Sequence, residues 1–532
     1  MSAAPDHLWS VPPILLHDLP RRAAGCCPDA IALRTGEACW TYGRLQSRIE
    51  AWAHTLRSAG LPAGARVAVL VDKLPETVAV CFAVSRAGGV LVPLNPLLKP
   101  AQALHVIQDA GAWALVALSP PSVSAWLSAW PAPAPCRVMG PDTTPDATPD
   151  ATPDATPGAH SDPVADPSVV DTDLAAIFYT SGSTGRAKGV MVSHRNLVAG
   201  AGSVVRYLGN RADDVLLAAL PLSFDAGFSQ LTTAFMVGAQ VVLHHHVLPR
   251  DTLLVMQQHG VTGLTAVPPL LAQLLAQPWP PGAADRLRYW ACTGGRVSSS
   301  LLTAMQGAAP QALPYLMYGL TEAFRSTYLP PDQVGRRPDS MGKAIPNVEV
   351  LVLRPDGSPC HPGEVGQLVH RGPLVALGYW NNPQATAERF GLWSPSGRPD
   401  LGERVVFSGD LVRQDAEGYL YFVARGDDLI KTSGYRVSPT EVEEVVLSCE
   451  VVAEAIALGH PDDVLGSVVR VVATRRPQAP VDDAACTDVL MRHCRRHLPG
   501  YMVPRLVEWV SALPRNPNGK IDRQRWRLDD VA

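Results

Sequence analysis

The chain has 532 residues, 47% hydrophobic and 18% charged, which is enough apolar material for several packed cores and excludes a small disulfide- or metal-stapled module. Lys and Arg number 45 against 49 Asp and Glu, a net charge of -4, so no bulk basic field exists to hold nucleic acid or an anionic membrane. The ten cysteines are scattered without a Cys-x-x-Cys pair. They read as reduced thiols of a cytoplasmic protein, and no apolar run approaches the roughly 18 residues of a membrane span.

From residue 66 onward, short apolar runs alternate with amphipathic stretches of helical length. Strands are expected over 66–71, 90–93, 114–118, 174–179, 215–220, 239–243, 263–266, 287–291 and 314–317, and helices over 75–86 and 100–110. Such alternation predicts an α/β fold with parallel sheets covered by helices, because parallel strands need long crossovers. Residues 141–167 interrupt it with repeated Thr-Pro-Asp-Ala units. A segment with so few apolar partners is expected to be a disordered insertion. After residue 347 shorter runs at 348–353, 368–370 and 419–423, separated by turn signals such as Pro355-Asp356-Gly357, predict a small β-rich subdomain. The last hundred residues mix strands at 430–437, 451–457 and 467–472 with helices at 438–448 and 481–497, enough for a separate terminal α+β domain.

The most informative segment is 177–189, IFYTSGSTGRAKG. A strand leads into a loop of Thr180, Ser181, Gly182, Ser183, Thr184 and Gly185, followed by Lys188. Glycines let backbone N–H groups turn inward, hydroxyls add donors and the lysine adds charge, a combination suited to a polyphosphate. The Walker spacing is absent, as is the Gly-x-Ser-x-Gly frame of a hydrolase elbow.

Further motifs follow in order: WTYGRL at Trp40, AGGVLVPLNP at Ala87, TGGR at Thr293, YGLTE at Tyr318, GYW at Gly378, SGDLV at Ser408, ARGDDLIKTSGYRVSPTEVE at Ala424 and NPNGKIDR at Asn516. This ordered set resembles the adenylate-forming superfamily of acyl-CoA synthetases, luciferase and peptide-synthetase adenylation domains. The segments SFDAGFSQLTTAF, MYGLTEAFRSTYLPP and KTSGYRVSPTEVEE resemble more narrowly the AMP-forming acyl-CoA ligases associated with exosortase A systems and exopolysaccharide.

The resemblance implies a large N-terminal AMP-binding domain over 1–426, with two helix-covered, mostly parallel sheets and a β subdomain at about 347–426, and a smaller mobile C-terminal domain over 427–532. It implies an ATP-dependent ligase that makes an acyl adenylate and passes the acyl group to CoA or to the phosphopantetheine of a separate carrier protein. A stand-alone amino-acid adenylating enzyme is the alternative. Lys520 would bridge the carboxylate and the α-phosphate, an electrostatic role worth roughly 3 to 4 kcal/mol when such a group is deleted. Glu322 would hold Mg²⁺, Thr321 would contact the α-phosphate, and Thr184 and Lys188 the outgoing pyrophosphate. Tyr318 and Gly319 would face adenine, with Gly294 and Gly295 at its edge, while Asp410 would meet the ribose and Arg425 the ribose or phosphate. Here Ser-Gly-Asp stands for the usual Thr-Gly-Asp, and Ala424-Arg425 for Gly-Arg; both changes keep the functional side chains. Asp427 would be the hinge that withdraws Lys520 and brings the 431–435 loop to the site, with Gly434 leaving room for the thiol arm.

Substrate specificity rests on fewer residues. Asp225 could pair with a substrate ammonium, or it could cap the helix expected over 225–236, for which Ser223 is equally suited. Arg325 could bind a second carboxylate on the substrate or pair with a surface acid. Val267, Pro268 and Pro269 are expected to shape the acyl pocket. The tract His244 to His246 alternates between the two faces of a strand and is not read as a zinc site.

Overall fold

The computed structural model describes residues 12–36, 38–130, 134, 136–143, 145, 166–180, 187–295, 297, 299–394, 400, 402–425, 430–480, 482–513 and 526. Most of the Thr-Pro-Asp-Ala insertion expected at 141–167 lies outside these.

Two sheets form the large N-terminal part. One has seven strands, in the order Gly378–Tyr379, Lys188–Ser193, Leu174–Thr180, Val90–Leu94, Arg66–Leu70, Ala114–Val116, Arg137–Met139. The run from Leu174–Thr180 to Arg137–Met139 is parallel, and the other two strands are antiparallel additions. The second sheet carries a parallel centre from Ile31–Thr35 through Gln240–Leu243, Val215–Ala218, Gly263–Ala266 and Tyr289–Cys292 to Leu313–Leu320. Helices Pro75–Arg86 and Asp225–Val237 belong to one large apolar core, and every residue of the first but Glu76 is buried. A helix apolar on nearly all sides is stable only when surrounded. Phe82 stacks on Phe228 at 5.8 Å between ring centroids and tilts against Phe235 at 5.3 Å, while Phe178 of the first sheet meets Phe228 at 5.8 Å. Such ring pairs add about 0.5 to 1.5 kcal/mol each beyond area burial.

The β-rich subdomain expected after residue 347 is not a detached unit. Ser340–Ala344 pairs with Phe324–Leu329 on one side and Leu420–Arg425 on the other. The second sheet thereby continues without a break into Glu403–Gln414, Val365–Arg371 and Glu349–Leu353. The sequence patterns also said nothing of helices Asp18–Cys26 and Tyr42–Ser58 or of the hairpin Ile31–Thr35 with Ala38–Thr41. These close the edge of the second sheet, and Tyr42 fixes them by donating its hydroxyl to the Ala239 carbonyl at 2.6 Å.

The C-terminal part has its own core around the sheet Val452–Asp462, Gly466–Arg475, Leu506–Trp509, flanked by helices Pro439–Leu447 and Asp483–His497. The single strand expected at 430–437 is instead a hairpin of Ile430–Thr432 and Tyr435–Val437. It turns at Ser433 and Gly434, with φ of 54° and 81°. This turn faces the N-terminal part. Tyr435 packs edge-on against Phe224 at 4.9 Å and stacks on Tyr501 at 3.6 Å.

A second contact between the two parts is polar. Glu441 Oε1 accepts a hydrogen bond from Gln102 Nε2 at 2.9 Å, and Oε2 is shielded from solvent with no hydrogen-bond partner. Burial pushes the Glu441 carboxyl up to about 7; the Gln102 hydrogen bond opposes the shift and the charge of Glu444 adds to it. Tyr501 lies against the same carboxyl. A carboxyl whose value is raised by docking binds a proton preferentially in the docked arrangement, so docking is fully favoured at low pH and is weakened as pH rises through about 7. Energy transfer between one dye on each part should therefore fall as pH rises from about 4.5 to about 7 and level off above that, and Glu441→Gln should abolish that dependence.

Candidate active site

The C-terminal ends of parallel strands are where loops and helix N-termini converge, and open α/β sheets bind ligands there. Both sheets direct these ends to one cavity of about 1790 Å³. Its walls include Val71 and Lys73 after Arg66–Leu70, Thr180 at the end of Leu174–Thr180, Ala219 to Pro221, Ser223 and Phe224 after Val215–Ala218, and Val267 after Gly263–Ala266. Thr293 to Gly295 follow Tyr289–Cys292, and the end of Leu313–Leu320 supplies Tyr318, Gly319 and Leu320, with Thr321 next. The roof comes from the C-terminal part, chiefly Lys431, Ser433, Gly434 and Tyr435.

Of the residues singled out in the sequence, the cavity wall brings together Thr180, Asp225, Val267, Gly294, Gly295, Tyr318, Gly319, Thr321, Arg325 and Gly434. Ser181, Gly182, Ser183, Thr184, Gly185, Asp427, Lys520 and the side chain of Arg425 lie outside the described residues. The glycine-rich loop joins two antiparallel strands, since Thr180 pairs with Lys188 in register. Thr180 and Ala187 at its two feet both line the cavity, so the loop starts and ends there.

Gly294 and Gly434 meet across the roof. Both have left-handed φ, 79° and 81°. A Cβ on Gly294 would lie 3.1 Å from Gly434 Cα, and one on Gly434 would lie 2.5 Å from Val267 Cγ1. Any side chain at either position would separate the two backbones. The space left by Gly434 is filled here by Val267.

Two buried carboxylates stand behind the wall, each held by a tyrosine. Asp410 is fully buried and accepts a hydrogen bond from the Tyr318 hydroxyl; its own N–H donates to Ser408 Oγ at 3.0 Å. Tyr318 also stacks near His370 at 6.3 Å, and Lys431 Nζ sits 5.9 Å from its ring centroid and 5.2 Å from that of Phe422. Glu322 lies at the tip of the turn between Leu313–Leu320 and Phe324–Leu329 and accepts from Tyr379 Oη at 2.6 Å. Burial, and then the neighbouring Glu322 carboxylate, push the Tyr379 hydroxyl well above its usual value. Lys188 Nζ lies 5.6 Å from the Tyr379 ring centroid. One chain of contacts thus runs from the lysine after the glycine-rich loop to the carboxylate of the YGLTE turn. A buried carboxylate beside Thr321 is the hard oxygen ligand that Mg²⁺ takes together with phosphate oxygens, so this site fits that ion.

Neither expected cap serves helix Asp225–Val237. Its N-cap is Phe224 with no side-chain bond, and Ser223 Oγ is buried without a hydrogen-bond partner. Asp225 sits one residue later, where its Oδ1 accepts from Ala226 N at 2.8 Å and its charge complements the helix dipole. Pro268 lies behind Gly295, and Pro269 lines the wall. His244 and His246 both bond the Thr252 hydroxyl, at 2.8 and 2.7 Å, and His245 Nε2 accepts the Lys73 N–H at 3.2 Å.

The sequence patterns missed Tyr379, Lys431 and Lys73. The first two lie inside quoted motifs, GYW and KTSGY, and carried no role. Lys73 has no motif. Its ammonium donates to the carbonyls of Ala218 and Ala219 at 2.6 Å each and of His244 at 2.7 Å, using all three of its N–H bonds. It ties the end of one sheet to the ends of two strands of the other. Burial lowers it to about 7.

Residues 20–380 match the AMP-binding enzyme family and 441–520 its C-terminal domain. A feruloyl-CoA synthase from Amycolatopsis is 32% identical over 506 residues, covering 94% of this chain and 96% of its own. Among solved structures, the amide bond synthetase McbA from Marinactinospora thermotolerans superposes with a TM-score of 0.81 at 27% identity, covering 96% of this chain and 99% of that one. The o-succinylbenzoate CoA synthetase of Bacillus subtilis, solved with a product analogue bound, gives 0.79 at 26% identity, covering 97% and 98%. With one cavity framed by both matched regions, this chain belongs to the AMP-binding, adenylate-forming enzyme family.

Proposed function

We propose that the protein is an AMP-forming acid-thiol ligase of the acyl-CoA synthetase type. A carboxylate oxygen attacks the α-phosphorus of ATP, and pyrophosphate leaves with the electrons of the broken P–O bond. A thiol of CoA, or of pantetheine on a separate carrier protein, then loses its proton and attacks the acyl carbon, and AMP departs. The observation that carries this reading is the seating of the 431–435 turn on the cavity through Gly434 and Gly294. That arrangement suits the second half-reaction, in which the terminal part presents a turn rather than a cation.

For the first half-reaction two anions must be brought together. Lys520 supplies the neutralising charge from the end of the same terminal part, after a rotation about Asp427. Thr184 and Lys188 hold the leaving pyrophosphate, Thr321 the α-phosphate, and Asp410 with Arg425 the ribose. Tyr318, Gly319, Gly294 and Gly295 bound the adenine. In this scheme the Tyr318 hydroxyl positions the Asp410 carboxylate, and Tyr379 positions Glu322. When bound at Glu322, Mg²⁺ offsets the phosphate charge.

An amino-acid substrate is the second reading, favoured by the position of Asp225 on the cavity wall. We place the enzyme in the cytoplasm, serving exopolysaccharide assembly beside an exosortase A system; the resemblance of its three quoted segments supports this. Among the described residues no helix is long and apolar enough to cross a membrane.

The test is a pyrophosphate-exchange screen over fatty, aryl and amino acids, followed by mass analysis of CoA and of a holo carrier protein as acceptors. Exchange with no acid in the panel would sink the proposal. Lys520→Ala should lower acid-dependent exchange by about 10²- to 10³-fold and slow thiol transfer from preformed acyl adenylate far less. Gly434→Val should do the reverse, lowering thioester formation at least ~10-fold while exchange stays within ~3-fold, because the added methyls collide with Val267 only in the docked arrangement.

A further inference from the structure

Building on the acid-activating reading above, we infer that the acid carries a second, distal carboxylate and that Arg325 is the residue that receives it. Three arginines are buried among the described residues: Arg48, Arg86 and Arg325, at 9%, 6% and 3% exposure. Arg48 is paired with Glu76, and Arg86 with Glu50 at 2.9 Å. Arg325 is the most deeply buried, and among the described residues no carboxylate lies within the 4.0 Å of an ion pair. Its Nη2 donates to Ser229 Oγ at 2.8 Å and to the Ala226 carbonyl at 3.3 Å, and its Nη1 to the weak acceptor Met317 Sδ at 3.3 Å. Nε has no partner.

A guanidinium does not shed its proton to escape burial. Neutral acceptors satisfy some of its five N–H bonds and leave its charge uncompensated, an arrangement that is costly without an anion. Its position sharpens the point. Ala226 and Ser229 belong to the first turns of helix Asp225–Val237, whose positive dipole end repels a cation and attracts an anion. Asp225 does not supply the missing charge, since it lies outside ion-pair distance and turns its Oδ1 to Ala226 N. A void of about 10 Å³ behind the guanidinium, lined by Ser229, Gln230, Thr233 and Tyr289, can hold at most a water, which could accept the Nε proton but adds no charge. On its other side Arg325 lines the large cavity.

The reacting carboxylate is the wrong anion for this site. The Arg325 head reaches Met317, four residues before Thr321, which follows the end of strand Leu313–Leu320, a separation on the order of 10 Å at about 3.3 Å per residue. A substrate whose first carboxyl meets the α-phosphate beside Thr321 would present a second one to Arg325.

The experiment compares pyrophosphate exchange with straight-chain ω-dicarboxylic acids of graded length against monocarboxylic acids of equal carbon count, in the wild-type protein, Arg325→Met and Arg325→Lys. The wild type should favour the best diacid over its matched monoacid by at least ~10-fold in kcat/KM. Arg325→Met should erase or invert that preference through KM for the diacid, and Arg325→Lys should restore part of it. The inference fails if the wild type prefers the monoacid at every length, if Arg325→Met keeps the diacid preference, or if it loses monoacids and diacids equally. Exchange with no acid of either kind would instead overturn acid activation itself, so the two failures are distinguishable; the wild-type comparison stands even if a variant does not fold.

Discussion

Two glycines held in left-handed backbone conformations set the limit on how close the terminal part can come to the rest of the molecule. Gly294 ends a strand of the large sheet and Gly434 forms the tip of a hairpin, and a side chain on either would hold the two chains apart. Because they touch, the hairpin becomes the roof of the cavity. Tyr435 locks onto Phe224 beside them, and the Gln102 to Glu441 bond forms at the outer edge. Among the described residues, the docked arrangement is held by a close backbone approach, the contacts of Tyr435 with Phe224 and of Lys431 with Tyr318, and the Gln102 to Glu441 hydrogen bond.

Below this roof the cavity is rigid where charge will gather. Lys73 draws three carbonyls from two strands of one sheet to the end of a strand in the other. Asp410 and Glu322 are both buried, and each meets a tyrosine hydroxyl. A carboxylate kept out of water is costly to reorient once its hydrogen bonds are made, so both are fixed before any nucleotide arrives. Arg325 differs: it is buried, and among the described residues its hydrogen bonds go to neutral groups.

Much of this was legible along the chain. Helices Pro75–Arg86 and Pro100–Ala110 and strand Gly263–Ala266 fall where the apolar periodicity puts them, because proline at the helix starts and unbroken β-favouring runs are local signals. The ordered motifs revealed the family for a related reason: a loop that wraps phosphate is short and its residue types are constrained by neighbours in sequence. The hairpin at 430–437 was read as one strand because its turn is a Ser-Gly pair inside an otherwise extended pattern. That Ser340–Ala344 is shared between two sets of strands, which joins the β subdomain to the second sheet, is not revealed by sequence patterns.

The sequence by itself determined the α/β class and the family, since both depend on residues within a few positions of one another. Tertiary structure alone decided that Lys73 joins two sheets, that Tyr379 links Lys188 to Glu322, and that Arg325 meets Ser229 and, among the described residues, no carboxylate. These are relations between residues tens to hundreds of positions apart. Whether a buried polar group is satisfied depends on what lies within about 3 Å of it in space, which spacing along a single chain does not encode.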